Sequence, residues 1–340
     1  MKAVAITGVG KVEVVDVPVP EYNEYECLVR VHTCGLCNST DLKIIHNEIS
    51  NLKVDFPIIL GHENAGEVVE KGSKVKNFQL GDRVINPNGR VGSGTPYNIM
   101  WAGMAGYAVI QDLKAMEEDG LPLPISPDLY AGRKIPNEIS FEDAAVILTL
   151  KETYSALKNF GVKPGMDVLL YGDGPVGLGL ASFLRVLGAG FVGCVGHRQD
   201  RLERIARIGK ADMVINTHHE DVEEKLGDRK FDLVVDAVGK TEIIRQAAWR
   251  LKPGGKVGAY GVLKPKDSVL NLLELPNHVD IHILSFPYRE HDTHDEVVDM
   301  ILDGRINPRD FYSHVIPIED VARGIEMIEK REAYKVVLKI

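Results

Sequence analysis

The sequence predicts an α/β chain in two styles, a β-rich part made of short strands and a doubly wound parallel sheet covered by helices. Three observations carry the prediction. Residues 1 to about 146 run as short β-rich segments broken by Gly, Pro and Asn, among them Cys27-Leu28-Val29-Arg30-Val31 and Gly66-Glu67-Val68-Val69-Glu70. From Tyr154 the period changes, and strand-like runs alternate with helix-like ones. Early in this second part, Tyr171-Gly172-Asp173-Gly174-Pro175-Val176-Gly177 spaces three glycines as a strand must to turn tightly into a helix.

The elements follow in order. Met1 to Ile6 leads into Val12-Glu13-Val14-Val15, which alternates like a strand and shows no secretory cleavage site. Asp167-Val168-Leu169-Leu170-Tyr171 reads as a buried strand and residues 178–187 as an apolar helix. Residues 192–195, 213–215, 231–236 and 256–260 read as further strands, with a helix over 201–208. Two helical stretches, 295–302 and 318–329, and a closing strand over 335–340 complete the chain. The expected organisation is a first domain over 1–150, a second over 151–285, and a return to the first over 286–340.

Composition narrows the class. A net charge of −9 with no long Lys/Arg block argues against nucleic-acid or anionic-membrane partners. No apolar run reaches the roughly 20 residues needed to span a bilayer. Cys27, Cys34, Cys37 and Cys194 are too few for a disulfide scaffold and suit a reducing compartment, so the cytoplasm is the expected location. Cys34 and Cys37 form a C-x-x-C, but no suitable βαβ unit follows to make it a redox pair.

The glycine motif is the first candidate site. Strand, glycines and helix in that order place the helix N-terminal amides beneath a dinucleotide pyrophosphate, with Gly172, Gly174, Pro175, Val176 and Gly177 as the contacting residues. Asp236-Ala237-Val238-Gly239 ends another buried strand, where ligands of open α/β sheets lie, which adds Ala237 and Gly239. NAD binders carry an acidic residue at the end of the second strand, about 20 residues past the glycines. That position is Gly196. The following His197 and Arg198 offer donors, and a guanidinium can grip a 2′-phosphate bidentately, so NADP is the expected cofactor with NAD as the alternative.

The second candidate site lies in the first part. Gly35-Leu36-Cys37-Asn38-Ser39-Thr40-Asp41 is followed downstream by Gly61-His62-Glu63-Asn64-Ala65-Gly66. A thiolate and an imidazole are good zinc ligands, and the adjacent carboxylate can complete or exchange with the shell. With these residues, the glycine motif and Leu251-Lys252-Pro253-Gly254-Gly255-Lys256-Val257, the chain resembles the zinc-type medium-chain dehydrogenase/reductase family, which includes alcohol, sorbitol, threonine and glucose dehydrogenases. The match runs from the first strand to the last. It implies a GroES-like catalytic domain joined to a Rossmann cofactor domain, with a cleft between them for nicotinamide, metal and substrate. It also implies one catalytic zinc on Cys37 and His62 with Glu63 close enough to join, a proton-relay hydroxyl two residues after the cysteine, at Ser39, and a homodimer or homotetramer.

The chain departs from the family pattern in several places. Asp41 stands four residues beyond Cys37 rather than three, which leaves Ser39 and Thr40 as competing relay hydroxyls. Lys43 occupies the place of the usual relay histidine and could hold the cofactor ribose or a substrate oxygen. The remaining zinc ligand of the family falls on Leu148, which cannot bind metal. Glu152, one helical turn along, is the candidate to reach metal or substrate instead. The four-cysteine lobe of many members has no counterpart between Asn86 and Tyr107, so no structural zinc is expected. Trp101, Met104 and Tyr107 are candidates to wall a substrate pocket or, equally, to pack in the core or at an interface, and His278, His282, His291 and His294 read as solvated surface.

The resulting expectation is a zinc-dependent oxidoreductase that passes hydride between NADP(H) and a small alcohol, polyol or sugar derivative. The alternatives are a zinc-free enone or quinone reductase of the same fold, and a non-catalytic NADPH-binding protein.

Overall fold

The computed structural model describes residues 1–49, 53–123, 132–264, 267, 269–284 and 289–340. The chain divides into two compact units, Met1–Leu148 with His294–Ile340, and Thr149–Thr293. The division falls within helix Ile147–Phe160.

In the first unit the organising element is strand Glu26–Gly35, nine of whose ten residues are buried or half-buried. A strand covered on both faces needs a near-continuous apolar run, which Cys27-Leu28-Val29 begins and Val31 and Cys34 continue. It pairs antiparallel with Glu63–Lys71, with Tyr107–Gln111 and with the C-terminal strand Val336–Lys339. Gly35 lies opposite both Glu63 and Val337, so three strands meet at this residue. A Cβ added at Gly35 would stand 2.5 Å from a Glu63 carboxylate oxygen and 2.9 Å from the Ala145 carbonyl. Only glycine lets these chains close up. A smaller sheet joins Lys2–Gly8 to Lys11–Asp16 and Ile58–Ile59. Below it, Val4, Ile6, Leu36, Ile44 and Leu60 share a core with Ile325, Ile328 and Leu338.

The second unit is a parallel sheet in the order Met213–Asn216, Phe191–Gly196, Asp167–Tyr171, Phe231–Asp236, Leu251–Ala259, Asp280–Ile283. Val168, Leu169 and Leu170 are fully buried, as a central strand with helices on both faces requires. The chain leaves Asp167–Tyr171 first to one side and later to the other, which creates a switch point at its C-terminal end. The α/β class and the Rossmann-like and GroES-like architectures are therefore as the sequence predicts.

One expectation is corrected. His294 is not solvated surface: it is 4% exposed, and its Nε2 lies 2.9 Å from the Lys134 carbonyl. It opens helix His294–Leu302 three and four residues before the buried Val297 and Val298, so helical spacing carries it onto the apolar face. Of the readings open for Met104, the core is the one observed: it is 1% exposed and packs in the core of the first unit. Among the described residues, no helix is long and apolar enough to cross a membrane.

Candidate metal centre and dinucleotide loop

Strand Glu26–Gly35 ends by burying Leu36 and delivering Cys37 at the head of helix Thr40–Ile45. Two contacts anchor this turn. Asn38 donates from Nδ2 to the Tyr334 carbonyl at 2.6 Å, and the Thr40 N–H donates to Cys37 Sγ at 3.4 Å. Asp41, 1% exposed, accepts the Cys37 N–H at Oδ2 (2.9 Å), while its Oδ1 lies 3.1 Å from His62 Nδ1. One carboxylate thus holds the cysteine backbone by a hydrogen bond and stands beside the imidazole as its ion-pair neighbour.

His62 follows Gly61, whose φ of +111° is a conformation glycine adopts without strain. The His62 carbonyl accepts from Asn86 Nδ2 at 2.9 Å, and the ring stands 5.2 Å from that of Trp101. Glu63 opens the next strand. Cys37, His62 and Glu63 each bring a ligand atom within 4.8 Å of the others, so the group can hold a metal ion. Sulfur, nitrogen and oxygen donors in this combination suit zinc, and Asp41 at Nδ1 leaves Nε2 for a metal, the usual carboxylate–histidine arrangement.

The charges around the group are strongly coupled. Burial pushes the His62 imidazole down, but the Asp41 carboxylate and the Cys37 sulfur outweigh it and hold its pKa well above the ordinary 6.5. A proton held there is what a cation would displace. Lys335, 3% exposed, sets its ammonium 2.7 and 2.6 Å from the two Glu63 oxygens. Burial lowers its pKa, and Glu63 first, then Cys37, raise it above the usual lysine value, which keeps it charged. Burial pushes the Cys34 thiol well up, so the neighbouring cysteine is not a reactive thiolate.

The remaining candidates fall into place differently. Lys43 donates to Ser39 Oγ at 3.1 Å across one helical turn. Glu152 is half-buried on helix Ile147–Phe160, in the stretch assigned to the second unit, and is not a member of the metal-binding group. Leu148 is 7% exposed on the same helix.

In the second unit the glycine loop has the geometry of a phosphate cradle. Gly172 has φ +127°, and a Cβ at Gly177 would stand 2.0 Å from the Gly172 carbonyl oxygen, so helix and strand pack backbone to backbone. Gly174 caps helix Pro175–Val186 and has nothing within 4 Å of its added Cβ, which leaves room for a ligand at the helix N-terminus. Val176 is the second helical residue. Across the switch point, Ala237 lies 3.3 Å from a Cβ added at Gly172, and the Asp236 carboxylate accepts the N–H groups of Val238, Gly239 and Lys240. At the end of strand Phe191–Gly196, Asp173 Oδ2 accepts the N–H of His197 at 2.7 Å and that of Arg198 at 2.8 Å. The Arg198 guanidinium rests on Asp200, with Nε at 2.9 Å.

Sequence reasoning missed three residues here. Asp41 drew notice only for its spacing, Asp173 sits at the unconstrained middle position of Gly-x-Gly, and Lys335 has no local motif at all.

A family model of the alcohol dehydrogenase GroES-like domain matches residues 23–122, and one of the zinc-binding dehydrogenase matches residues 175–303. The chain is 26% identical to the sorbitol dehydrogenase of Bacillus subtilis (strain 168), an alignment that covers 99% of this chain and 97% of that enzyme. It is also 26% identical to the sorbitol dehydrogenase of Homo sapiens, covering 99% and 95%. The solved alcohol dehydrogenase TADH from Thermus sp. ATN1 superposes with a TM-score of 0.80 at 28% identity, covering 100% of this chain and 99% of that one. With both unit types matched by family models and end-to-end likeness to dehydrogenases, the chain belongs to the zinc-type medium-chain dehydrogenase/reductase family of alcohol-dehydrogenase-like oxidoreductases.

Proposed function

We propose that the protein is a zinc-dependent dehydrogenase that passes hydride between a nicotinamide dinucleotide and a hydroxyl or carbonyl carbon of a small alcohol, polyol or sugar derivative. The observation that carries this reading is the convergence of Cys37, from the turn after strand Glu26–Gly35, with the adjacent His62 and Glu63, at the start of strand Glu63–Lys71, so that their ligand atoms lie within 4.8 Å of one another. A zinc ion held there supplies Lewis acidity toward an alcohol or carbonyl oxygen. Asp41 orients the imidazole, Lys335 orients the Glu63 carboxylate, and Trp101 offers an apolar face beside His62. Ser39, whose Oγ is oriented by a hydrogen bond from the Lys43 ammonium, is the hydroxyl best arranged to pass the substrate's proton on to water, and Thr40 is the alternative hydroxyl. The sorbitol dehydrogenases among the relatives support a polyol as substrate.

The loop Gly172–Gly177 supports pyrophosphate binding, and the turns at Gly196–Arg198 and Ala237–Gly239 support adenosine and nicotinamide contacts. The pattern Gly196-His197-Arg198 speaks for NADP(H), and the hydrogen bonds around it speak for NAD(H). Metal analysis of dialysed protein, paired with a screen of alcohols, polyols and sugars with both cofactors, tests the reading. Near-stoichiometric zinc with chelator-sensitive turnover is expected. Full activity without metal sinks the zinc mechanism and promotes the zinc-free reductase.

A further inference from the structure

We propose that Asp173 makes this chain select NAD(H) over NADP(H), by supplying from the glycine loop the ribose-binding carboxylate that strand Phe191–Gly196 lacks. The proposal rests on the reading of the glycine loop as a dinucleotide site, and it inverts the preference suggested by Gly196-His197-Arg198.

NAD-selective sheets of this type carry an acidic side chain at the end of the second strand, where it accepts from the ribose hydroxyls. Gly196 holds that position and has no side chain to offer. A Cβ added there would stand 2.7 Å from both Cβ and Oδ2 of Asp173. The Asp173 carboxylate therefore already fills the space where a side chain of residue 196 would begin. It is held there by the N–H groups of His197 and Arg198, at 2.7 and 2.8 Å. Both bonds use Oδ2, which leaves Oδ1 to accept from a ribose hydroxyl.

The same contacts work against a 2′-phosphate. The two main-chain donors that could bind its oxygens are engaged by Asp173. The Arg198 guanidinium is gripped by Asp200 through Nε at 2.9 Å and a terminal nitrogen at 3.3 Å. A phosphate placed here would have to displace one carboxylate from Arg198 and face another, and two like charges within a few ångströms repel. A ribose hydroxyl needs neither change. Gly196 is then required so that the carboxylate of another residue can stand in its place.

Equilibrium titration of the full-length protein with NADH and with NADPH, followed by nicotinamide fluorescence without substrate, tests this. NADH is expected to bind about tenfold tighter or more, the range of one hydrogen bond to a charged group. Asp173→Asn keeps the shape, removes the charge, and should narrow the preference by about tenfold. Arg198→Ala should leave the preference for NADH over NADPH in place, because the guanidinium held by Asp200 contributes no phosphate grip to lose. Because Asp173 also anchors the turn after the strand, the wild-type ratio and Arg198→Ala provide readouts on a protein with that anchor intact. Tighter binding of NADPH by the wild type, or an unchanged ratio in a folded Asp173→Asn, overturns the proposal. Binding of neither nucleotide brings down the dinucleotide reading itself, and the proposal with it.

Discussion

Lys335 closes on both carboxylate oxygens of Glu63, at 2.7 and 2.6 Å, with 3% and 2% of the two side chains exposed. The pair joins the chain's last strand to the strand that follows His62, and it passes the bare backbone of Gly35, where a Cβ would stand 3.2 Å from Lys335 Cε. A buried ion pair of this kind adds little net stability over an apolar pair, but breaking it is costly because one charge stays buried alone. Its chemical effect is to fix the carboxylate next to Cys37 and His62 in one orientation while balancing its charge.

Lys335→Met therefore strands a buried carboxylate and should destabilise the protein by about 3–5 kcal/mol. Denaturant unfolding measures it. Adding Glu63→Gln to the same protein should recover a large part of the loss, since the uncompensated charge is gone. A Lys335→Met protein as stable as wild type would show that the pair is not structural.

Asp41→Asn should weaken metal retention by about tenfold to a hundredfold, the usual effect of losing a carboxylate behind a ligating histidine. The carboxylate also favours the imidazole tautomer that presents Nε2. Competition with a chromogenic chelator reads this directly, without any assay of turnover. Unchanged affinity would remove Asp41 from the metal site and leave it as a clamp for the Cys37 backbone.

Acid should act through Glu26. Burial alone raises its pKa, but Arg90, the N–H of Asn23 and the Gln111 amide outweigh burial and hold it below the ordinary 4.5. A depressed carboxyl contributes stability above its unfolded pKa and loses it as pH falls through the folded value. Wild type should lose stability as pH drops below about 4.5, and Glu26→Gln should show a shallower loss over the same range. Urea melts at a series of pH values decide the matter. Arg90, which grips Glu26 at 3.0 and 2.8 Å, should cost about 1.5–3 kcal/mol when changed to Ala.

The parts that were legible in the sequence are those whose geometry is local. Gly172 to Gly177 describe their own turn, because a strand–helix corner with close backbone contact demands glycine at fixed spacing. The period change near Tyr154 separated the two styles of sheet for the same reason. Cys37 and His62 could be singled out because their residue types have few other uses together. What could not be read is pairing across the fold. Lys335 looks like a surface lysine until strand Val336–Lys339 is seen beside Gly35, and His294 looks solvated until its helix face is known. Asp173 shows the limit most clearly: residue 196 reads as lacking an acid, while the carboxylate that stands beside it belongs to the end of a different strand.

The last prediction separates Ser39 from Thr40. Ser39 caps helix Thr40–Ile45 and Thr40 opens it, and the four-residue step from Cys37 to Asp41 makes either one a match to the family pattern by counting from one side. Their surroundings differ. Ser39 Oγ accepts from Lys43 Nζ at 3.1 Å, which turns the Ser39 O–H away from the ammonium and leaves its proton to pass to water, whereas Thr40 is held through its backbone N–H on Cys37 Sγ at 3.4 Å. A positioned relay contributes about a hundredfold or more to the rate. Ser39→Ala should thus lower kcat by about a hundredfold with little change in KM, while Thr40→Ala stays within about tenfold of wild type. Lys43→Arg should keep more turnover than Lys43→Ala, because it retains the donor. The measurement is kcat and KM for each variant with a polyol substrate. A large kcat loss in Thr40→Ala with Ser39→Ala near wild type would move the relay to Thr40 and leave Lys43 as a cap on the Ser39 hydroxyl.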